Sequence, residues 1–168
     1  MTPDSEHLYR SAPTPAEIHP VETVMDPELR ATLAYWNRVR GTRAMPTRAD
    51  ISPKELRRSL RHIHMYDVME GGRDFRARLV GTGVFPGLDE DQTGKLVSAH
   101  PDPGIRLRFG ALLSHVAATG MPARSLSVRV TGSLLMDART EGLWLPLGEG
   151  RTVQQILVHS SLTPIQPG

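Results

Sequence analysis

The stretch Phe75-Arg76-Ala77-Arg78-Leu79-Val80-Gly81-Thr82 decides the fold. Its apolar residues alternate with arginines, which is the two-residue period of a strand with one buried and one exposed face. The tight-turn signal Glu70-Gly71-Gly72-Arg73 comes directly before it, so the strand is predicted to be the second arm of a β-hairpin. After the glycine step at its end, the chain is expected to leave the sheet.

The region before the hairpin is predicted to hold two helices. Asp26-Pro27 can begin the first, because Asp caps a helix and Pro fits its first turn. Gly41 can end it. Ser52-Pro53-Lys54-Glu55 has the form of a capping box and predicts a second, short helix. The first helix carries an apolar stripe made of Leu29, Leu33 and Trp36.

The region after the hairpin is predicted to cross the sheet as a helix and to return as three strands. Residues 105–119 have the clearest helical period, and Gly120 can end the helix. The predicted strands cover residues 125–130, 143–147 and 151–160. Pro146 indicates an edge or a bulge, and the run Ile156-Leu157-Val158 indicates a strand covered on both faces.

This order of elements predicts an α+β fold, a five-stranded antiparallel sheet with helices on one face and an N-terminal helical extension. The predicted divisions are an irregular N-terminal arm over 1–25, the helical extension over 26–61, the domain over 62–161 and a C-terminal tail over 162–168. A pocket is expected between the sheet and the crossing helix.

Composition excludes several kinds of site. The 168 residues include no cysteine, which removes disulfides, thiolate metal sites and cysteine nucleophiles and fits a reducing cytoplasm. The N-terminus lacks the basic and apolar regions of a signal peptide, and no apolar run approaches the roughly 20 residues that span a bilayer. We therefore expect a cytoplasmic protein that does not enter the membrane.

The predicted order of elements resembles the PAS fold. The stretches Arg40-Gly41-Thr42-Arg43 and Met45 to Pro53 are similar to the N-terminal signature of a bacterial family of mostly stand-alone PAS proteins, found largely in alphaproteobacteria. The same family shows an Arg-Leu-Val-Gly-Thr strand, an Asp-x-Thr-Gly turn, and a Leu-Pro-Leu followed by Gly-Arg, which match residues 78–82, 91–94, 145–147 and 150–151. The resemblance implies a sensory or regulatory module and leaves its ligand and any cofactor unknown. The residues themselves lead us to expect a module without catalytic activity.

Six side chains are predicted to build the ligand pocket: Arg78, Leu79, Phe109, Leu112, Val116 and Ile156. A mostly apolar lining suits a neutral or weakly polar ligand, or a filled core. Arg78 is embedded in an apolar strand, where an unpaired guanidinium is costly. We expect it to pair with Asp50 as a clamp, or to bind an acidic group of a ligand.

No residue is nominated for catalysis or for metal binding. Serine, histidine and aspartate are present, but none forms a nucleophile elbow. His62 and His64 are interpreted as surface residues on one face of a strand, without a third metal ligand. His115 lies at the boundary of the apolar stripe of its helix, so a haem ligand is not favoured there.

The N-terminal helix is the candidate interface, through Leu29, Leu33, Tyr35 and Trp36. These side chains can cover the protein's own sheet or form the seam of a homodimer, which is the preferred interpretation. Because no catalytic domain follows, the output is expected to pass through a signalling protein partner. Two alternatives remain: a nucleic-acid-binding adaptor that uses Arg57, Arg58 and Arg61, and a small-molecule enzyme that uses the same pocket.

Overall fold

The computed structural model describes residues 16–82, 92–129 and 138–164. Short 3-10 turns and loops connect the regular elements within these ranges. The strands and α-helices are β1 (Glu17–His19), α1 (Pro27–Arg40), β2 (Ile63–Met69), β3 (Asp74–Val80), α2 (Pro103–Thr119), β4 (Ala123–Arg129), β5 (Ala138–Glu149) and β6 (Thr152–Pro164).

The strands form one antiparallel sheet in the order β1-β4-β5-β6-β2-β3. The predicted α+β class and the antiparallel hairpins are therefore confirmed. The sheet has six strands and not five, because Glu17–His19 pairs with β4 inside the region predicted to be an irregular arm. β6 lies in the interior of the sheet, and its run Ile156 to Val158 is at most 1% exposed, as expected for a strand covered on both faces.

The two helices cover opposite faces of the sheet. Phe109 of α2 packs edge-on against Trp144 of β5, with ring centroids 5.2 Å apart. Trp144 pairs with Val158, and the next residue, His159, contacts Thr32 of α1. Successive side chains of a strand point to opposite faces, so α1 lies across the sheet from α2. The prediction of helices on one face holds for α2, whereas α1, the N-terminal extension, covers the other face.

Helix α1 has the limits predicted from its caps. Asp26 accepts hydrogen bonds from the backbone N–H groups of Glu28 and Leu29, at 2.8 and 3.2 Å. The helix ends at Gly41, whose φ of 60° suits a residue without a Cβ. On the face turned to the sheet, Trp36 donates its indole N–H to the carbonyl oxygen of Pro146 at 2.9 Å.

Pro146 occupies a local edge of β5, as its sequence predicts. The pairing of β4 with β5 ends at Ala123, which is opposite Trp144. Pro146 lies past this point, so it pairs with β6 on one side and β4 does not reach it on the other. A register shift follows at Leu147/Gly148. The loop after α1 covers this edge, because Gly148 donates its backbone N–H to the carbonyl oxygen of Pro46 at 2.9 Å.

The short helix predicted from Ser52 onward is absent, and residues 53–59 form turns. The carboxylate of Glu55 pairs with Arg38 at 3.1 Å, so it does not close a capping box. The capping box of this region lies five residues earlier, where Asp50 accepts hydrogen bonds from the backbone N–H and hydroxyl of Thr47. The three arginines of the nucleic-acid alternative are exposed on these turns and the 3-10 turn after them, and not on a helix: Arg57, Arg58 and Arg61.

Candidate functional site

The candidate site is an aromatic chamber between α2 and the sheet, defined by His64, Tyr66, Phe109 and Trp144. The ring of Phe109 lies edge-on to those of Tyr66 and His64, with centroids 6.2 and 6.1 Å away. Edge-to-face packing at these separations is favourable for aromatic rings. Phe109 therefore holds the helix against three side chains of the sheet.

The start of α2 fixes the position of Phe109. Asp102 caps the helix by accepting hydrogen bonds from the backbone N–H groups of Gly104 and Ile105, at 2.7 and 3.3 Å. Pro103 occupies the first turn, where its missing N–H is not needed. Sequence analysis placed the start of this helix two residues late, because it did not use Asp102 as a cap.

A loop before α2 closes the side of the chamber. Ala77 donates its backbone N–H to the carbonyl oxygen of Lys95 at 2.9 Å, and Gly94 donates to the carbonyl oxygen of Ala77 at 2.6 Å. The glycine has a φ of 84°, a conformation that disfavours other residues. These bonds tie the loop to the middle of β3.

The polar groups of the chamber are electrically neutral. His64 is 0% exposed, and burial lowers its pKa to about 3, so the ring carries no charge at pH 7. Burial also raises the pKa of Tyr66 above its ordinary value. The hydroxyl of Tyr66 and Nδ1 of His64 are 3.3 Å apart, within hydrogen-bonding distance. The chamber can offer neutral donors and acceptors, and an ionic group would meet no opposite charge among these two side chains.

The free space beside the chamber is small. A cavity of about 20 Å³ lies between Tyr66, Ala77, His100, Ile105 and Phe109. A space of roughly 10–15 Å³ on this measure holds one water molecule. The cavity among the described residues therefore has room for one water molecule.

Four of the predicted pocket residues lie on the chamber side of the core or within it. Phe109 lines the cavity, and Ile156 pairs with Tyr66 across the strands. Leu112 and Val116 are 4% and 0% exposed on α2. Their role in binding a ligand stays a prediction, since the contacts show packing alone.

Arg78 does not line the pocket, and the predicted clamp with Asp50 is wrong. The side chain of Arg78 is 67% exposed, and its nearest acidic partner is Asp67 at 3.6 Å. Asp50 pairs with Arg43 at 2.9 Å. Arg78 points to solvent from an edge strand, so its charge never required a buried partner.

Leu79 is also outside the pocket, for a reason that lies in the strand register. A shift between Met65 and Tyr66 places Leu79 opposite Met65, whereas Ala77 is opposite Tyr66. The extra residue turns Leu79 away from the face that carries Ala77. Leu79 is 42% exposed as a result.

The two histidines taken together as a surface pair are in different surroundings. His64 is buried in the chamber, while His62 lies in the 3-10 turn Leu60–His62 before the strand. Within residues 16–82, 92–129 and 138–164, no three histidine, aspartate or glutamate side chains come together in a way that suits a metal ion.

A second polar cluster fastens the start of α1 to the opposite face. The carboxylate of Glu141 accepts hydrogen bonds from Met25 N and Asp26 N, and it pairs with Arg124 at 2.6 Å. Asp26 in turn accepts a hydrogen bond from the hydroxyl of Ser161 at 2.6 Å. These contacts hold the first turn of α1 against β4, β5 and β6.

The candidate interface residues divide into two pairs. Leu29 and Trp36 are 0% and 2% exposed because they pack on the protein's own sheet. Leu33 and Tyr35 are partly buried, and Tyr35 accepts a hydrogen bond from Ser52 N at 2.8 Å. A contact with a second copy through this helix would have to use its outer side.

The family model for a PAS domain matches residues 24–158. The chain belongs to the PAS domain family. No curated protein and no solved structure matches it. The matched region runs from the residues just before α1 into β6, so it includes the N-terminal helix, strands β2 to β5 and the first part of β6.

Sequence reasoning missed three important residues of this PAS domain. His64 and Trp144 belong to the chamber, and His159 contacts α1 on the other face. A usable signal exists for the histidines, because His64 stands between Ile63 and Met65 and His159 directly follows the apolar run Ile156-Leu157-Val158. No helix of the described part of the chain is long and apolar enough to cross a membrane.

Proposed function

We propose that this PAS domain is a sensory or regulatory module without chemistry of its own, which transmits changes in the chamber through the sheet to α1 and to a protein partner. Membership in the PAS family supports a sensory or regulatory role in general. The finer statement draws support from the neutral, mostly aromatic lining of the chamber, which suits binding of an uncharged group.

The observation that carries the proposal is that successive residues of β6 face the chamber and α1 in turn. On β6, Val158 pairs with the chamber residues His64 and Trp144, and the adjacent His159 hydrogen-bonds Thr32 of α1 at 2.9 Å. A displacement of the chamber rings must move the same strands that hold α1, because packed interiors do not absorb such shifts locally.

The chemistry of the chamber favours an uncharged small molecule as its ligand. The neutral hydrogen-bonding pair His64 and Tyr66 can bind a hydroxyl, carbonyl or amide without the cost of burying an unpaired ion. A ligand larger than water does not fit the cavity of about 20 Å³ among the described residues unless lining side chains such as Phe109 move. Ligand entry would therefore change the packing on which α1 depends.

We further propose that the output is read by protein contacts, with a homodimer as the basal assembly in the cytoplasm. α1 carries the partly buried side chains Leu33 and Tyr35, and Arg38 stacks over the ring of Tyr35 at 5.3 Å. Aromatic and arginine side chains are common anchors of interfaces.

The test is native mass spectrometry of the full chain beside a denatured sample of the same preparation. A retained small molecule and a dimeric mass are expected to appear in the native spectrum and to be lost on denaturation. Binding measured on a Phe109→Trp variant, which fills the chamber, then locates the molecule. An unchanged level of the retained molecule in that variant contradicts a chamber site, and a monomeric wild type at high concentration contradicts the homodimer.

A further inference from the structure

A groove much larger than the chamber cavity lies at the end of the sheet where β4 begins. Its volume is about 1010 Å³. Its walls come from the end of β1, one side of α1, and the turn between α2 and β4. It is separate from the chamber, and its occupancy does not depend on the proposed sensory function.

The floor and rims of the groove are apolar. Leu33, Trp36 and Met45 line its inner part. Ile18 and Met121 stand at its rims, where they are 41% and 65% exposed. Exposed apolar side chains gathered in a concave surface mark a place that another segment covers.

The charged lining of the groove is predominantly basic. Arg40 and Arg151 line it together with His19 and His115, and Glu22 is the acidic residue among the described lining. Neither arginine forms an ion pair with a carboxylate in the described part of the chain. The groove therefore suits an occupant that combines apolar side chains with carboxylates.

The guanidinium of Arg40 is held in position at the groove. It lies 5.4 Å from the ring centroid of Trp36 and donates hydrogen bonds to the side-chain oxygen of Asn37 and the carbonyl oxygen of Arg43, at 3.1 and 2.9 Å. A fixed cation beside an apolar floor loses little entropy when a carboxylate binds.

We propose that residues 1–15 of the same chain occupy this groove, with Asp4 and Glu6 at its basic groups and Leu8 and Tyr9 on its apolar floor. These residues lie outside the described part of the chain, and the first nine include no lysine or arginine. The segment thus brings carboxylates for the basic groups of the lining and apolar side chains for its apolar floor.

The attachment point of the segment supports this occupant. Residues 1–15 join the described chain at Ala16, two residues before the groove residue Ile18. β1 runs antiparallel to β4 and leads away from the groove toward its own start, so the proposed binding would require the segment to reverse direction. Residues 10–15 provide six residues for that reversal, including Pro13 and Pro15, and loops of about this length are common. Tethering at such short range gives an effective concentration on the order of millimolar, so even weak contacts would be populated.

A second copy of the chain is a poorer occupant. Arg40 and Met45 of the groove belong to residues 38–61, which contain eight lysine or arginine residues and two acidic ones. Two copies meeting at this surface would bring like charges together, which is unfavourable at an interface. The N-terminal segment of the same chain brings carboxylates instead.

The test is the rate of trypsin cleavage after Arg10 in the full chain, followed by mass spectrometry. Trypsin binds several residues on each side of the cleaved bond, Leu8 and Tyr9 among them. Cleavage therefore requires these two residues to leave the groove, and its rate reports the open population. Met121→Glu places a carboxylate at the exposed rim and should accelerate cleavage about fivefold, as loss of roughly 1 kcal/mol of contact predicts. Leu107→Glu is the matched control, because Leu107 is 54% exposed on α2 and does not line the groove. It should cleave at the wild-type rate.

Two further variants test the same contact from the other side. Asp4→Asn with Glu6→Gln should accelerate cleavage as Met121→Glu does, and rising salt should remove the difference, since exposed charge pairs are screened. A labelled peptide of residues 1–15 should bind a protein that begins at Ala16 more tightly than it binds the full chain, whose own segment competes. Circular dichroism confirms that each variant is folded.

Three outcomes overturn the proposal. The first is an equal rate of cleavage after Arg10 in the wild type, the groove variant and the control. The second is a peptide that binds the full chain as tightly as the shortened chain. The third is a shortened protein that dimerises through Met121, which makes a second copy the occupant.

Discussion

Arg124 and Glu141 form a buried ion pair under the start of α1, with the Nε of the arginine 2.6 Å from the carboxylate. Both residues are at least nine-tenths buried. The same carboxylate accepts the backbone N–H groups of Met25 and Asp26, so two otherwise unpaired donors before the helix are satisfied. The ion pair therefore connects three segments, which are β4, β5 and the entry to α1.

Breaking this pair is expected to destabilise the domain strongly. Glu141→Gln leaves Arg124 buried without its countercharge and should cost about 3–5 kcal/mol of unfolding free energy in urea titrations. Arg124→Met in the Glu141→Gln background should cost less than the sum of the single changes, because it removes the orphaned charge. Glu55→Gln, in the exposed pair with Arg38, is the control and should cost less than about 1 kcal/mol. Additive effects at positions 124 and 141 would contradict the coupling.

The stability of the domain should fall as the pH is lowered below about 6.5. Burial lowers the pKa of His64 to about 3 and that of His159 to about 4, and the nearby His62 lowers the latter further against the opposing effect of Asp26. Both rings are neutral in the folded protein at pH 5–6, while the unfolded chain binds a proton at each. The unfolding free energy should therefore drop by about 2–3 kcal/mol per pH unit in this range.

Urea unfolding at several pH values checks this slope. His64→Gln and His159→Gln should each reduce it by about one proton, or about 1.4 kcal/mol per pH unit, whatever their effect on absolute stability. His115→Gln is the control, because it removes a histidine that is only partly buried. A variant that keeps the full slope shows that its histidine is not the group that titrates.

At still lower pH, protonation of Glu141 should decrease the unfolding free energy further. Burial alone would raise the pKa of Glu141, but hydrogen bonds from Asp26, Met25 and Arg124 lower it.

Two glycines should respond to alanine with opposite signs. A Cβ at Gly148 would overlap the carbonyl oxygen of Thr152, a backbone atom in the register shift that ends β5. Gly148→Ala should therefore cost about 1–3 kcal/mol. Gly110 lies in α2, where an added Cβ would meet no group outside the helix backbone within 4 Å. Gly110→Ala should stabilise the protein by about 0.5–1 kcal/mol, because alanine favours the helix. Thermal denaturation of the two variants decides the matter, and a stabilised Gly148→Ala would mean that this register shift is not required.

The elements that sequence analysis predicted correctly are those with local signals. α1 begins with Asp26 and Pro27 and ends at Gly41, and all three positions act in the structure as their chemistry predicts. The hairpin of β2 and β3 follows from alternation and a glycine turn. β1 was missed because three residues among prolines carry too little periodicity, and its partner β4 is more than a hundred residues away.

The site was predicted less well because its details depend on register and on distant partners. A single shift opposite Met65 moved Leu79 away from the chamber face, and no local pattern indicates that shift. The Arg78 and Asp50 clamp was wrong because Asp50 finds nearer partners in Thr47 and Arg43. The chamber also depends on Trp144, whose indole N–H is donated to the hydroxyl of Ser125 on the neighbouring strand at 2.8 Å.

A change confined to the chamber should alter the dynamics of α1 on the other face. Phe109→Leu removes the ring that packs on Trp144, and the strand residue next to Trp144, Leu143, pairs with His159 under α1. Loosening of these strands should lower hydrogen-exchange protection in residues 28–40 several-fold, because local opening depends on tertiary packing more than on the helix itself.

Leu107→Ala is the matched control for this experiment, since it changes the same helix at an exposed position. It should leave exchange in α1 at the wild-type rate. Reduced protection in β5 and β6 with unchanged protection in residues 28–40 would show that the sheet absorbs the disturbance, and the proposed transmission to α1 would then be wrong. The proposed path predicts reduced protection both in β5 and β6 and in residues 28–40. If Thr32→Val then raises the exchange rate of residues 28–40 alone by the same factor, the hydrogen bond between Thr32 and His159 lies on the path between sheet and helix.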